Sequence, residues 1–394
     1  MQIITTTAAL DKLCSDLSSD KFITVDTEFM RERTYWAKLC LIQIAGTEHE
    51  AIIDPQADGI DLASFYQLMA NEAVIKVFHA ARQDVEIIHH LSGVIPKPLF
   101  DTQIAAMVCG FGDQIGYEPL ARRLVNAEID KSSRFTDWSR RPLTDKQLNY
   151  ALCDVTFLRD IYQILQTQLD ETGREPWLAE EMRVLTNEDT YQTDPTRAWN
   201  RVKFRPRKKV QQAILMEVAA WREEEAKRRD VPRNRIIKDD AIGELAMQAP
   251  KNQDALSRLR AVPKGYANSR HGEAMVAAVK RGLARDLDTV PEVNQRNRHM
   301  PEGTGEIAEI LKLALKITAE QEGIASRIIA NASDIEAIAA DNNADVKALH
   351  GWRLELFGRT ALDLKTGKLA IGLRDGKAAI FAVGGSEQKM KAAE

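Results

Sequence analysis

Short apolar runs rich in β-branched residues crowd the beginning of this chain, in "KFITVDTEF", "KLCLIQIAG", "HEAIIDP" and "VIKVFHA". From Lys208 to Leu364 the apolar residues recur instead at helical spacing. A hydrophobic period that changes from two to about 3.6 partway along cannot serve a single layer architecture. An α/β unit must come first and all-helical units after it. "KLCLIQIAG" and "HEAIIDP" are close enough, across "GTE", to pair as an antiparallel hairpin. "DLASFYQLMANE", "RQDVEIIHHLSG" and "DTQIAAMVCGF" have helical spacing, the second closed by Gly93 and the third opened by Asp101 as N-cap. "TDKQLNYALCDVTFLRDIYQILQTQLDETG" predicts a long amphipathic helix capped by Thr144 and closed around Gly173.

The chain divides accordingly into an α/β domain over residues 1–170, a connecting helix and linker over 171–207, a helical bundle over 208–288, a polar linker over 289–304, and a second helical bundle with a terminal hairpin over 305–385. The second bundle reads as a diverged repeat of the first, on similar size and helix order. Asp375-Gly376 between two apolar runs signals the hairpin. With 394 residues, 44% hydrophobic and 28% charged, the chain suffices for two or three domains with cores of their own. Its longest apolar runs fall far short of the roughly 20 residues that cross a bilayer, and the first residues lack a signal-peptide pattern. A cytoplasmic, monomeric protein with no membrane partner is expected. The four cysteines, Cys14, Cys40, Cys109 and Cys153, form no C-x-x-C pair, so all are expected reduced and any metal is expected on oxygen ligands. The net charge of −4 excludes a uniformly basic nucleic-acid binder. Fourteen Lys and Arg nevertheless stand between Arg197 and Lys238, enough to face a polyanion or to solvate a linker and helix face.

The "VDTEF" end of the first long apolar run carries Asp26 and Glu28, which alternation puts on one face of a strand. Two such carboxylates raise each other's pKa unless a cation lies between them, and hard ions such as Mg²⁺ or Mn²⁺ prefer carboxylate oxygen. Asp84 follows the "VIKVFHA" strand at the start of a helix, and Tyr150 and Asp154 share a helix face at i, i+4 spacing. Taken singly, Asp84 is an ordinary helix-cap acid and Asp154 a surface acid. Together, four carboxylates and a phenol are a donor set for two divalent ions roughly 3.5–4 Å apart, the arrangement that hydrolyses phosphodiesters.

"VDTEF", "FHAARQDVEII" and "YALCDVTFL" resemble the three exonuclease motifs of the DEDD superfamily, in the branch with Tyr four residues before the last Asp. "KLCLIQIA", "PLFDTQIAAMVCG" and "KSSRFTDWSRRPLTDKQLNYALCDV" are similar to the corresponding parts of the ribonuclease D family, and the segment after residue 208 resembles its HRDC module. The resemblance implies a ribonuclease H-like exonuclease domain with a mixed five-stranded sheet, followed by two all-α HRDC-type bundles. It also implies a 3′–5′ exoribonuclease that trims tRNA precursors carrying 3′ extensions and releases 5′-nucleoside monophosphates, with two Mg²⁺ or Mn²⁺ ions. In that reading Asp26 bridges the ions, Glu28 and Asp154 complete one site, Asp84 supports the other, and Tyr150 positions the nucleophile. The motifs alone leave open a 3′–5′ DNA exonuclease, and a decayed site would leave an RNA-binding adaptor.

Weaker candidates surround this set. His79 is a substrate contact or a satisfied strand-end histidine, and Phe29 and Met30 stack on terminal bases or belong to the core. Arg134, Arg140, Arg141, Arg233 and Arg235 are candidate phosphate contacts, joined by Lys208 and Lys209, while Trp138 reads as the anchor of its loop.

Overall fold

Six strands pair into one mixed sheet among the residues that the computed structural model describes, which are 2–133, 135–263, 265–293 and 303–383. They are β1 (Gln2–Ile4), β2 (Phe22–Met30), β3 (Lys38–Ala45), β4 (Glu50–Ile53), β5 (Ile75–Phe78) and β6 (Leu99–Asp101), in the spatial order β1-β4-β3-β2-β5-β6. The β3–β4 hairpin forms as its spacing predicts, with Ala45 opposite Glu50. The expected five strands become six. β1 and β6 are three residues each, too short to carry an alternation, and owe their conformation to parallel pairing with β4 and β5.

β2 lies between antiparallel β3 and parallel β5, the latter paired with Phe22, Ile23 and Thr24, and Ile23 and Val25 are fully buried. The sheet is covered by α1 (Thr7–Leu17), α2 (Ala63–Ala70), α3 (Arg82–Ser92), α4 (Thr102–Val108), α5 (Tyr117–Val125) and α6 (Asp145–Thr172), with α7 (Glu175–Leu185) continuing from α6. α6 starts at a capping box in which Thr144 and Gln147 satisfy each other's backbone, and stops at Gly173 with φ 65°.

The first helical bundle comprises α8 (Lys209–Arg229), α9 (Arg233–Ile236), α10 (Asp239–Gln248), α11 (Gln253–Ser257) and α12 (Arg270–Ala284). Its core of Ile214, Val218, Ile242 and Met275 takes in Tyr35 from the loop between β2 and β3. The second bundle comprises α13 (Thr304–Glu322), α14 (Ser326–Ile329), α15 (Ala332–Ala340), α16 (Gly351–Arg353), a π-helical turn over Leu354–Gly358 and α17 (Arg359–Lys365). Leu311, Ile335 and Phe357 belong to the same buried cluster as Ile23 and Val77, so this bundle and the sheet domain share one core. The backbones meet at Gly110, where a Cβ would lie 2.2 Å from the Gly323 carbonyl oxygen. β7 (Leu369–Arg374) and β8 (Lys377–Ala382) make the terminal hairpin across Asp375 and Gly376, both at positive φ. Residues 294–302 of the polar linker, and 384–385, lie outside the described residues. Among the described residues no helix is long and apolar enough to cross a membrane.

Candidate active site

The central strand delivers the first two carboxylates. Asp26 and Glu28 share the β2 face that α6 covers, where the Thr24 hydroxyl donates to the Val155 carbonyl at 2.8 Å. A register shift at Glu28/Phe29 marks a bulge at the point where the strand leaves the sheet. Asp154, on α6, completes a trio whose carboxylate oxygens all lie within 4.8 Å of one another. Asp84 comes from the opposite side, in the first turn of α3, and accepts a 2.5 Å hydrogen bond from the Thr27 hydroxyl.

Burial, and then the charges of Asp84, Asp154 and Glu28, hold Asp26 well above the usual carboxylate range. Burial, followed by Asp154 and Asp84, pushes Glu28 up to about 8. Burial likewise lifts Asp84 to about 7, against the pull of the Thr27 hydroxyl, and Asp154 to about 7. Among the described residues none of the four is in an ion pair. Half-buried oxygens that close together, from β2 and α6 and with no cationic side chain paired to them, fit a hard divalent ion; Asp84, bonded to Thr27, is outside that trio.

A stability consequence follows with a definite sign. Each folded pKa exceeds its unfolded value of about 4, so between those limits the native state binds more protons than the unfolded chain. Metal-free protein is therefore expected to lose several degrees of melting temperature as pH rises from about 5 to about 8. Saturating Mn²⁺ should remove that loss, because the ion needs the same oxygens ionised. Melting curves at three pH values, with chelator and with Mn²⁺, check this; a metal-free midpoint that rises with pH contradicts it.

Three comparisons with known proteins bear on the whole chain. Residues 1–170 match the family described as 3'-5' exonuclease, and residues 211–279 match the HRDC domain. The ribonuclease D of Nitrobacter hamburgensis is 51% identical over 96% of this chain and 98% of its own length. The chain belongs to the ribonuclease D family. A second family member, from Bartonella henselae, is 44% identical over 96% of this chain and 93% of its own. The crystal structure of Escherichia coli RNase D, described as an exoribonuclease involved in structured RNA processing, superposes with a TM-score of 0.79 at 28% identity, over 93% of this chain and 98% of that one.

Around the acids, this ribonuclease D family member has supports that the motif reading passes over. Asp101 caps α4 and also accepts from the Ala80 and Ala81 N–H groups at 3.0 and 2.8 Å. Ala80 is held at φ 62°, and that pinned turn aims Asp84. The buried Tyr117 hydroxyl donates to the Cys153 carbonyl at 2.7 Å beside Asp154, and burial followed by the charges of Asp154 and Asp26 holds it protonated. Thr27 was legible in principle, since alternation turns it to the opposite strand face from Asp26. Nothing local marks Tyr117.

Tyr150 lies one turn before Asp154 on the same face of α6, its ring stacked 6.2 Å from Trp138. Phe29 and Met30 border a cavity of about 560 Å³ that Glu28 also lines. His79 uses both ring nitrogens within the fold, against the Thr102 hydroxyl at 2.9 Å and the Ile115 carbonyl at 3.2 Å. Of its two readings, these bonds fit the satisfied strand-end histidine.

Two of the arginines offered as phosphate contacts have partners within the fold. Arg141 grips Asp54 with both sides of its fork, at 2.6 and 2.7 Å, and donates to the Cys40 and Trp138 carbonyls. Arg233 pairs with buried Glu223 and lies 4.6 Å over the Tyr35 ring. Asp54 stands 87 residues from Arg141, and Glu223, ten residues from Arg233, meets it only once the bundle folds. Arg140 is exposed beside Asp137 at 3.2 Å, Arg235 is exposed, and Arg134 lies outside the described residues. Much of the basic run from Arg197 to Lys238 is spent internally: Arg222 on Asp239, Arg201 on Glu223, Arg228 on Glu225 and Lys209 on Glu292.

Proposed function

We propose that this protein is a 3′–5′ exoribonuclease of the ribonuclease D type that trims 3′-extended tRNA precursors in the cytoplasm as a monomer and releases 5′-nucleoside monophosphates. The observation that carries this reading is the trio Asp26, Glu28 and Asp154, whose oxygens approach within 4.8 Å at the end of a rigid central strand. Two divalent cations, Mg²⁺ or Mn²⁺, supply charge neutralisation at the phosphodiester and a lowered water pKa when bound. Asp26, Glu28 and Asp154 would hold the ions, with Asp84, steadied by Thr27, as a further carboxylate for them. Tyr150 projects its hydroxyl from the helix face of Asp154 and orients the attacking water. Phe29 and Met30 pack against the terminal bases at the cavity.

The domain division 1–170, 171–207, 208–288, 289–304 and 305–385 goes with this reading. We infer that the second bundle is a diverged HRDC-type module. A long helix, a four-residue helix and a helix of about ten residues follow at matching intervals in both: Lys209–Arg229, Arg233–Ile236 and Asp239–Gln248 against Thr304–Glu322, Ser326–Ile329 and Ala332–Ala340.

The test uses a 3′-extended RNA and a DNA strand of the same sequence, each labelled at its 5′ end, with Mn²⁺. Stepwise shortening of the RNA with release of 5′-monophosphates is expected, and slower shortening of the DNA, because sugar choice rests on the 2′-OH. Faster loss of the DNA would replace the ribonuclease reading with a DNA exonuclease. No shortening of either strand, together with no calorimetric Mn²⁺ binding, would leave an RNA-binding adaptor.

A further inference from the structure

The loop that leaves the catalytic strand carries cations that no acid claims. Arg33 and Lys38 are exposed, line the same cavity as Glu28, and make no ion pair among the described residues. Of the other acids on that cavity wall, Asp137 is already engaged by Ser139 and Arg140, and Glu32 is exposed beside Arg33. Arg33 stands five residues past Glu28, so its backbone lies within about 17 Å of the acid cluster even if fully extended. That is a reach of a few nucleotides. Phe135, an exposed aromatic ring, lines the same cavity. Cations that follow a backbone beside aromatic rings that meet bases are the recurrent chemistry of single-strand binding.

The position of this loop is set from outside the nuclease domain. Arg31 is forked onto Glu86 of α3 at 2.8 and 3.1 Å. Four residues later the first helical bundle takes hold: the Tyr35 and Trp36 N–H groups both donate to Asp230 at 3.0 Å. The Tyr35 hydroxyl donates to Glu223 and receives from Arg233 at 2.9 Å, while Trp36 stacks on His90 with centroids 3.8 Å apart. Arg33 is thus strung between two anchors, one in each domain.

We propose that Arg33 and Lys38 grip the RNA backbone upstream of the scissile bond, and that the first helical bundle holds them in place through Asp230 and Tyr35. This rests on the exoribonuclease reading and gives that bundle a definite task. It serves as a positioning element for the rim of the nuclease site, in addition to any surface of its own that meets RNA.

The test is equilibrium binding of a fluorescent single-stranded RNA, measured by anisotropy with Mg²⁺ in an Asp26→Asn background, from about 50 to about 200 mM salt. Arg33→Ala and Lys38→Ala should each weaken binding several-fold and lower the slope of log affinity against log salt by about 0.7, the value for one phosphate contact on a single strand. Arg33→Lys should keep the slope. Asp230→Ala and Asp230→Asn remove the same charge, but only Asn can still accept from the loop, so the alanine variant should lose slope and the asparagine variant should retain it. Unchanged slopes in Arg33→Ala and Lys38→Ala overturn the grip, and identical behaviour of the two Asp230 variants overturns the positioning. RNA hydrolysis by the unsubstituted protein tests the exonuclease reading separately, so failure of either is told from failure of the other.

Discussion

An Asp26→Asn protein is expected to lose metal-dependent RNA hydrolysis by at least about 10³-fold while its metal-free form melts several degrees higher than the parent. Both halves come from one geometry. Asparagine keeps the shape and one oxygen of the side chain, so the buried turn of β2 and its pairing to β3 and β5 need not change. What goes is a negative charge placed among Asp84, Asp154 and Glu28, each of which raises the pKa of Asp26. Removing it relieves repulsion in the metal-free site at a pH high enough to ionise these acids, about 8, and takes away a carboxylate that would hold the cations. The gain and loss should separate on adding Mn²⁺. Ligation of the native state alone adds about 2.7 kcal/mol at one hundred times the dissociation constant, so the parent should rise past the variant on metal addition while the variant moves little. Hydrolysis rates and paired melting curves decide the matter. Activity within tenfold of the parent removes Asp26 from the metal site, and a lower metal-free midpoint contradicts the account of the four carboxylates.

How much of this was readable in advance depended on the distance over which each residue finds its partners. Asp26 and Glu28 were legible because strand alternation is a local rule, and Tyr150 with Asp154 because helical spacing is another. Their convergence was not local, and only the likeness of three motifs to a known family joined them. β1 and β6 escaped because three residues carry no period, and their strand character is conferred by neighbours. Arg233 escaped for a harder reason. In sequence it is one cation in a basic run before a helix; Glu223, ten residues back, is one of several acids in that run, and the ring of Tyr35 is 198 residues away. Tyr35 itself reads as a loop aromatic, yet it is 3% exposed and belongs to the core of another domain. Charge counts along the chain therefore overstate how many cations remain for a polyanion, because pairs such as Arg222 with Asp239 and Arg233 with Glu223 close only when the bundle folds.

Interdomain pairing leads to the second large effect, at Arg353 in the second bundle. Its guanidinium is 1% exposed, donates to Glu180 at 2.6 Å and to Glu181, both on α7, and bonds the Ile328 carbonyl at 2.8 Å. Beside it Trp352 stacks on Trp177 with centroids 4.3 Å apart and planes 7° from parallel, and Arg174 covers the far ring. Arg353→Ala should cost about 3 kcal/mol, the low end for a broken buried pair, because the two glutamates are partly exposed and can take up water. The core shared by this bundle and the sheet implies that the loss will be felt in the main melting transition, as a fall of roughly 5 °C. Arg353→Met restores volume without charge and should recover part of that fall, whereas Arg353→Lys keeps the charge but cannot reach both glutamates and the carbonyl at once. If Arg353→Ala melts within about 2 °C of the parent, the bundle is held by its apolar contacts alone and the ion-pair latch is incidental. If the alanine and methionine variants fall equally, the loss is of charge rather than packing, and the electrostatic part of the latch is the larger one.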